Sequence, residues 1–135
     1  MQGKPTVMLI DDNDVDNFIN RRIIENQQFS DRIYVHTSSK SALEFLKNFE
    51  QLPDFPEYLI PSILFLDISM PVMDGYAFMA EFAKINPAFR SKIRVIVLTS
   101  STNSSEKENF MKIEGVSDYF NKPLTVEHLN QLREM

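Results

Sequence analysis

Apolar residues along this chain alternate between two spacings, and the alternation repeats five times. Thr6 to Ile10 (T-V-M-L-I) is a short unbroken apolar run, the mark of a buried strand, and it ends on Asp11, Asp12, Asn13 and Asp14. Val15, Phe18, Ile19 and Ile23 then recur at helical spacing and predict a helix over roughly Asp14 to Glu25. Arg32 to His36 reads as a second strand, followed by a helix over Ser41 to Phe49 with Ala42, Phe45, Leu46 and Phe49 on one face. Ser62 to Leu66 (S-I-L-F-L) predicts a third strand that runs straight into Asp67. Asp74 is placed to cap a helix from about Tyr76 to Ile85 that buries Phe78 and Phe82. Ile93 to Leu98 predicts the fourth strand, ending at Thr99. Ser104 or Ser105 can cap a fourth helix through Ile113, which Gly115 ends. Asp118 to Asn121 is a short fifth strand before Lys122-Pro123, and Thr125 caps a last helix.

Strands alternating with helices in one small unit imply a parallel sheet joined by right-handed crossovers. The unbroken apolar third and fourth strands fit an α/β sandwich whose sheet is covered on both faces. The stretch from Glu50 to Pro61 holds Pro53, Pro56 and Pro61 and predicts a stiff loop, with Phe55 and Tyr58 as a local cover over the core. No repeat, low-complexity segment or linker interrupts the pattern.

Composition narrows the function. The 135 residues correspond to about one domain. Fourteen Lys and Arg against nineteen Asp and Glu give a net charge of −5, without a basic cluster, which argues against direct nucleic-acid binding. The absence of cysteine excludes disulfides, thiolate metal sites and cysteine nucleophiles. No apolar run is long enough to insert in a membrane, and Met1 to Pro5 lacks the apolar stretch of a signal peptide, so a cytoplasmic protein is expected. Gly3, Gly75 and Gly115 cannot assemble a Gly-rich phosphate loop, which excludes a nucleotide-binding enzyme of that kind.

In an open parallel sheet, ligands bind just beyond the carboxyl ends of the strands. That edge collects Asp11 and Asp12 from the first strand, Asp67 from the third, Thr99 from the fourth and Lys122 after the fifth. Three clustered carboxylates repel one another unless a cation joins them. Oxygen-only ligands favour a hard divalent ion, and an open site suits Mg2+. With an ammonium and a hydroxyl opposite, such a site can hold a phosphoryl group. Taken singly, each residue has a plainer reading. An acidic pair after a strand is often a turn or cap, Pro123 can simply start a helix, and Tyr119 can be packing. Met70, Met73 and Met79 read as packing residues, and His36 and His128 as structural or exposed.

The segments V-M-L-I-D-D (7–12), I-L-F-L-D-I-S-M-P-V-M-D-G (63–75), V-I-V-L-T-S (95–100) and D-Y-F-N-K-P (118–123) resemble the receiver domain of two-component response regulators, including chemotaxis-regulator-like and stand-alone members. The resemblance covers essentially the whole chain. It implies a flavodoxin-like (βα)5 three-layer sandwich with strand order 2-1-3-4-5, and a single receiver domain over 1–135 with no output domain. It implies that Asp67 is the phosphoacceptor, served by a sensor histidine kinase or histidine phosphotransfer protein. Asp12 would bind Mg2+ directly, Asp11 mainly through water, and the main-chain carbonyl of Ser69 would complete the ligands beside Asp67. Thr99 and Lys122 would hold phosphoryl oxygens, Tyr119 would report the state through its rotamer, and the Lys122-Pro123 bond would be cis. The product would be a non-enzymatic signalling module acting on a downstream protein partner not identified by the sequence. Two departures stand out: a longer interval before Asp67, within Glu50 to Pro61, and about one extra residue within Ser101 to Ser105. Receivers paired with phytochrome kinases look similar in the first region and share a Thr-Ser-Ser like residues 99–101. The alternatives are a receiver fragment of a larger regulator, a pseudo-receiver, or a small aspartyl-phosphate phosphohydrolase of the haloacid-dehalogenase type. The last needs an aspartate two residues after the nucleophile, where this chain has Ser69.

Overall fold

A computed structural model describes residues 4–52, 54, 56–68 and 74–134. Among these, five strands form one parallel sheet: β1 (Thr6–Ile10), β2 (Arg32–His36), β3 (Ile63–Leu66), β4 (Arg94–Thr99) and β5 (Val116–Asn121). Their order is β2-β1-β3-β4-β5, as the resemblance implies for a flavodoxin-like sheet. The helices are α1 (Asp14–Asn26), α2 (Ser39–Glu50), α3 (Gly75–Phe82), α4 (Pro87–Arg90), α5 (Ser104–Met111) and α6 (Val126–Arg133). The fourth and last helices expected from the sequence are therefore α5 and α6.

The sheet divides its side chains by the two-residue period of a strand. Met8, Ile10, Leu64, Leu66, Val95 and Val97 pack one way, against Leu46 of α2, Phe78 and Phe82 of α3 and Phe110 of α5. Val7, Leu9, Ile63, Phe65, Ile96 and Leu98 pack the other way, against Ile24 of α1 and Leu129 and Leu132 of α6. Burial on both faces explains why β1 and β3 read as unbroken apolar runs.

Helix starts follow from side chains that accept the first free amides. Asn13 accepts from Asp16, Ser38 from Ser41, Asp74 from Ala77 and Thr125 from His128. The start of α5 differs from the expectation. Asn103, not Ser104 or Ser105, accepts from the amides of Ser105 and Glu106 at 2.9 and 3.4 Å. The helix also stops at Met111, and Gly115 makes the turn into β5 at φ 101°, a left-handed conformation suited to glycine. A Cβ there would come within 3.3 Å of Met79 Cε, so Met79 is packing, as expected.

The loop before β3 holds a 3-10 turn at Glu57–Leu59. Tyr58 is 67% exposed beneath the Arg32 guanidinium and does not cover the core, which corrects the expectation for it. Pro53, Phe55, Ser69, Met70 and Met73 lie outside the described residues. The largest difference from the sequence reading concerns α1. Val15, Phe18 and Ile19 are exposed, while Asn17, Asn20 and Ile24 are buried. Among the described residues, no helix is long and apolar enough to cross a membrane.

Candidate functional site

Register brings the acidic residues together. Asp11 follows the last residue of β1 and donates its amide to His36 O at 3.1 Å, while Asp67 follows β3 and donates to Ile10 O at 3.0 Å. Neighbouring parallel strands thus release their chains at one level, and both carboxylates emerge at the same edge. Oxygens of Asp11, Asp12 and Asp67 all lie within 4.8 Å of one another. Asp11 and Asp67 are buried, whereas Asp12 is exposed. Three oxygen donors with one side open to solvent, and no nitrogen or sulfur ligand among them, fit a hard divalent cation that keeps several waters.

Lys122 reaches this cluster from the far side of the sheet. Its main-chain amide donates to Thr99 O at 2.8 Å, which places the residue at the end of β5 beside the end of β4. The Lys122-Pro123 bond is cis, as the resemblance implies. The ammonium donates to Asp11 Oδ2 at 2.6 Å and Asp16 Oδ2 at 2.9 Å, and lies 3.8 Å from Asp67 Oδ1. Burial alone would push the Lys122 pKa down. Hydrogen bonds to Asp11 and Asp16, with the charges of Asp67 and Asp11, outweigh it and hold the pKa above its ordinary value. Lys122 is therefore a fixed cation at neutral pH.

Asp11 is engaged at both oxygens, since Oδ1 accepts the Asn13 amide at 2.9 Å. Thr99 is fully buried, and its Oγ1 accepts the Ser101 amide at 3.1 Å. An accepting hydroxyl still carries a proton to donate. Tyr119 stands apart from the carboxylates: its hydroxyl donates to Glu106 Oε1 at 3.1 Å and ties β5 to the first turn of α5. Burial, that hydrogen bond, the Glu106 charge and nearby Tyr76 together push the Tyr119 pKa up to about 12. Ser69, the remaining site expectation, lies outside the described residues.

The structure thus groups Asp11, Asp12, Asp67 and Lys122 directly, and sets Thr99 and Tyr119 on the adjoining β4 and β5. Asp16 was missed as a partner of Lys122. In sequence it looks like one of the first-turn acids that suit any helix dipole. Asn17 was missed as well: its Nδ2 donates to Asp11 O at 2.8 Å from the buried face of α1. Asn17 sits opposite the apolar stripe, which was the available hint for it, whereas Asp16 lies at the edge of the stripe and carried none.

Comparison with known proteins agrees with this geometry. Residues 7–134 match the response regulator receiver domain. The chain is 30% identical over 130 residues to the two-component response regulator ORR5 of Oryza sativa subsp. japonica, covering 96% of this chain and 87% of that protein. It is also 30% identical over 123 residues to the sensor histidine kinase CheAY of Helicobacter pylori, covering 91% of this chain but spanning 14% of that longer protein. Among solved structures, a two-component response regulator from Cytophaga hutchinsonii superposes with a TM-score of 0.86 at 30% identity, covering 98% of this chain and 96% of that one.

Proposed function

The chain belongs to the response regulator receiver family, and from that premise we propose that Asp67 is the residue that accepts the phosphoryl group. The observation that carries this assignment is the placement of Asp67 at the end of β3, buried, within a three-carboxylate cluster and 3.8 Å from the Lys122 ammonium. A carboxylate oxygen of Asp67 would attack the phosphorus of a phosphohistidine on a sensor histidine kinase or histidine phosphotransfer protein. The P–N bond breaks, an O–P bond forms, and the imidazole leaves with the bonding pair and takes a proton.

Asp11, Asp12 and Asp67, with the Ser69 carbonyl as the expected fourth protein ligand, would hold Mg2+. When bound, that ion supplies positive charge to the carboxylates and phosphoryl oxygens. Lys122 would shift one of its donors from Asp11 or Asp16 to a phosphoryl oxygen. Thr99 would donate its remaining proton to another, while Ser101 keeps the hydroxyl oriented. A change at Thr99 would reach the Tyr119–Glu106 bond through the adjoining strands, so α5, β5 and α6 form the proposed signalling face toward a downstream protein. The exposed Val15, Phe18 and Ile19 of α1, beside the site, form the proposed docking face for the phosphodonor. A cytoplasmic, non-enzymatic signalling role belongs to the same proposal. Ser69, where a dehalogenase-type phosphatase needs its acid, supports it over the hydrolase alternative.

The test is incubation with acetyl phosphate and Mg2+ followed by intact-mass measurement. One acid-labile phosphoryl adduct, mapped to Asp67, is expected. An adduct elsewhere, or continuous phosphate release from simple esters, overturns the assignment.

A further inference from the structure

Helix α1 buries two asparagines where an apolar residue would pack without leaving polar groups to satisfy. Asn17 is 6% exposed and Asn20 is 2% exposed, and their spacing of three residues puts them on one face of the helix. Asn17 Nδ2 donates to the main-chain oxygen of Asp11 at 2.8 Å. Asn20 Oδ1 accepts the main-chain amide of Leu124 at 3.2 Å. One helix face thus grips both chain segments that carry the opposed charges of the site: the turn of Asp11 and the segment of Lys122. Asp16, the half-buried residue just before Asn17, holds the Lys122 ammonium itself at 2.9 Å.

A further observation sets Asn17 apart from a packing residue. Its Oδ1 is buried without a hydrogen-bond partner, and it lines a cavity of about 10 Å³ shared with Asp11, Asn20 and Asp67. A space of that size holds about one water molecule. The asparagine face therefore opens beneath the carboxylates.

We propose that Asn17 and Asn20 are positioning residues for phosphoryl transfer, fixing the main chain at Asp11 and Leu124 so that the acidic cluster and Lys122 stay in register. The proposal rests on the reading of Asp67 as the phosphoacceptor. Neither asparagine touches the reacting atoms; each acts through the chain segment that it holds.

The test compares the full chain with Asn17→Leu, Asn20→Leu and Asn20→Asp. Labelling rates are read by intact mass across a series of acetyl phosphate concentrations, Mg2+ affinity is measured by titration, and melting is recorded alongside. Loss of an outer-shell partner typically costs about tenfold or more in metal affinity or activity. Asn20→Leu is expected to lower the saturating labelling rate about tenfold while remaining folded. Asn20→Asp, which keeps an oxygen to accept the Leu124 amide, is expected to restore most of that rate. Asn17→Leu is expected to weaken Mg2+ binding about tenfold. Should Asn20→Leu fail to fold, Asn20→Ala against Asn20→Asp carries the same contrast. If the wild type takes no label, the phosphoacceptor reading itself fails. If the wild type labels and the leucine variants match it, or Asn20→Leu and Asn20→Asp lose equally, the positioning role is overturned.

Discussion

Helices α1 and α2 have 13 and 12 residues, lie on opposite faces of the sheet, and use their apolar residues in opposite ways. On α2, Ala42, Leu43, Leu46 and Phe49 face inward. On α1, Phe18 is 62% exposed and Val15 64%, while the inward face carries Asn17 and Asn20 ahead of Ile24. The inner face of α1 lies along the ends of β1 and β5, where main-chain groups and charged side chains need polar partners. Val15, Phe18 and Ile19 stay exposed, on the face proposed for docking the phosphodonor. A helix beside a charged site can thus be amphipathic with its packing sense reversed, because satisfying buried polar groups there outweighs burying another few methyl groups.

The sharpest way to break this contrast is to truncate one apolar side chain on each helix. Leu46→Ala should cost about 2–5 kcal/mol in denaturant unfolding, because Leu46 is fully buried. A loss under about 1 kcal/mol would show that α2 packs no better than the exposed face of α1. A third helix, α6, sharpens the comparison with a titratable start. Its capping box pairs the Thr125 side chain with the His128 amide and the His128 Nδ1 with the Thr125 amide, at 3.1 Å each. The ring also stacks on Phe120 with centroids 4.2 Å apart. Burial pushes the His128 pKa below its ordinary 6.5, against the raising pull of Glu127 and Asp118.

A depressed histidine binds its proton less readily when folded than when unfolded. Its stabilising share is full above the unfolded value and is lost as pH falls through that value toward the lower folded one. Burial depresses His36 in the same direction. His128→Gln keeps an acceptor able to close the box, so it should remove part of the stability loss below about pH 6.5, a share under about 1 kcal/mol. An unchanged pH profile in chemical unfolding would count against the box. The smallest effect on stability is expected from Phe18→Ser, within about 0.5 kcal/mol, while phosphotransfer from a cognate donor slows. A large stability loss would place Phe18 in the core.

These results separate what periodicity reveals from what it hides. Unbroken apolar runs located β1, β3 and β4, and the residues that end or follow them, Asp11, Asp67 and Thr99, were legible because a strand must stop where polarity begins. The sense of α1 was not legible, since a 3.6-residue period shows that a stripe exists and not which neighbour it meets. The Asp16–Lys122 pair joins residues 106 positions apart, a separation that no local pattern encodes. The cap of α5 was ambiguous because Asn103, Ser104 and Ser105 can all cap, and only tertiary placement chooses among them. Helix α4 had a readable start in Asn86-Pro87, an N-cap followed by proline, but its four residues were too short to show a period.

The central claim is that Asp11, Asp12 and Asp67 are held together for a cation and a phosphoryl group at a cost to the fold, with Lys122 as the fixed counter-charge. Thermal melting of the wild type and Asp67→Asn at low ionic strength, with and without Mg2+, tests it most directly. Without the ion, Asp67→Asn should melt higher, because one mutually repelling carboxylate is gone. For an affinity near ~1 mM, about 10 mM Mg2+ should add roughly 1.4 kcal/mol to the wild type and clearly less to the variant. A variant that melts lower without metal, or gains as much from Mg2+ as the wild type, would contradict the account.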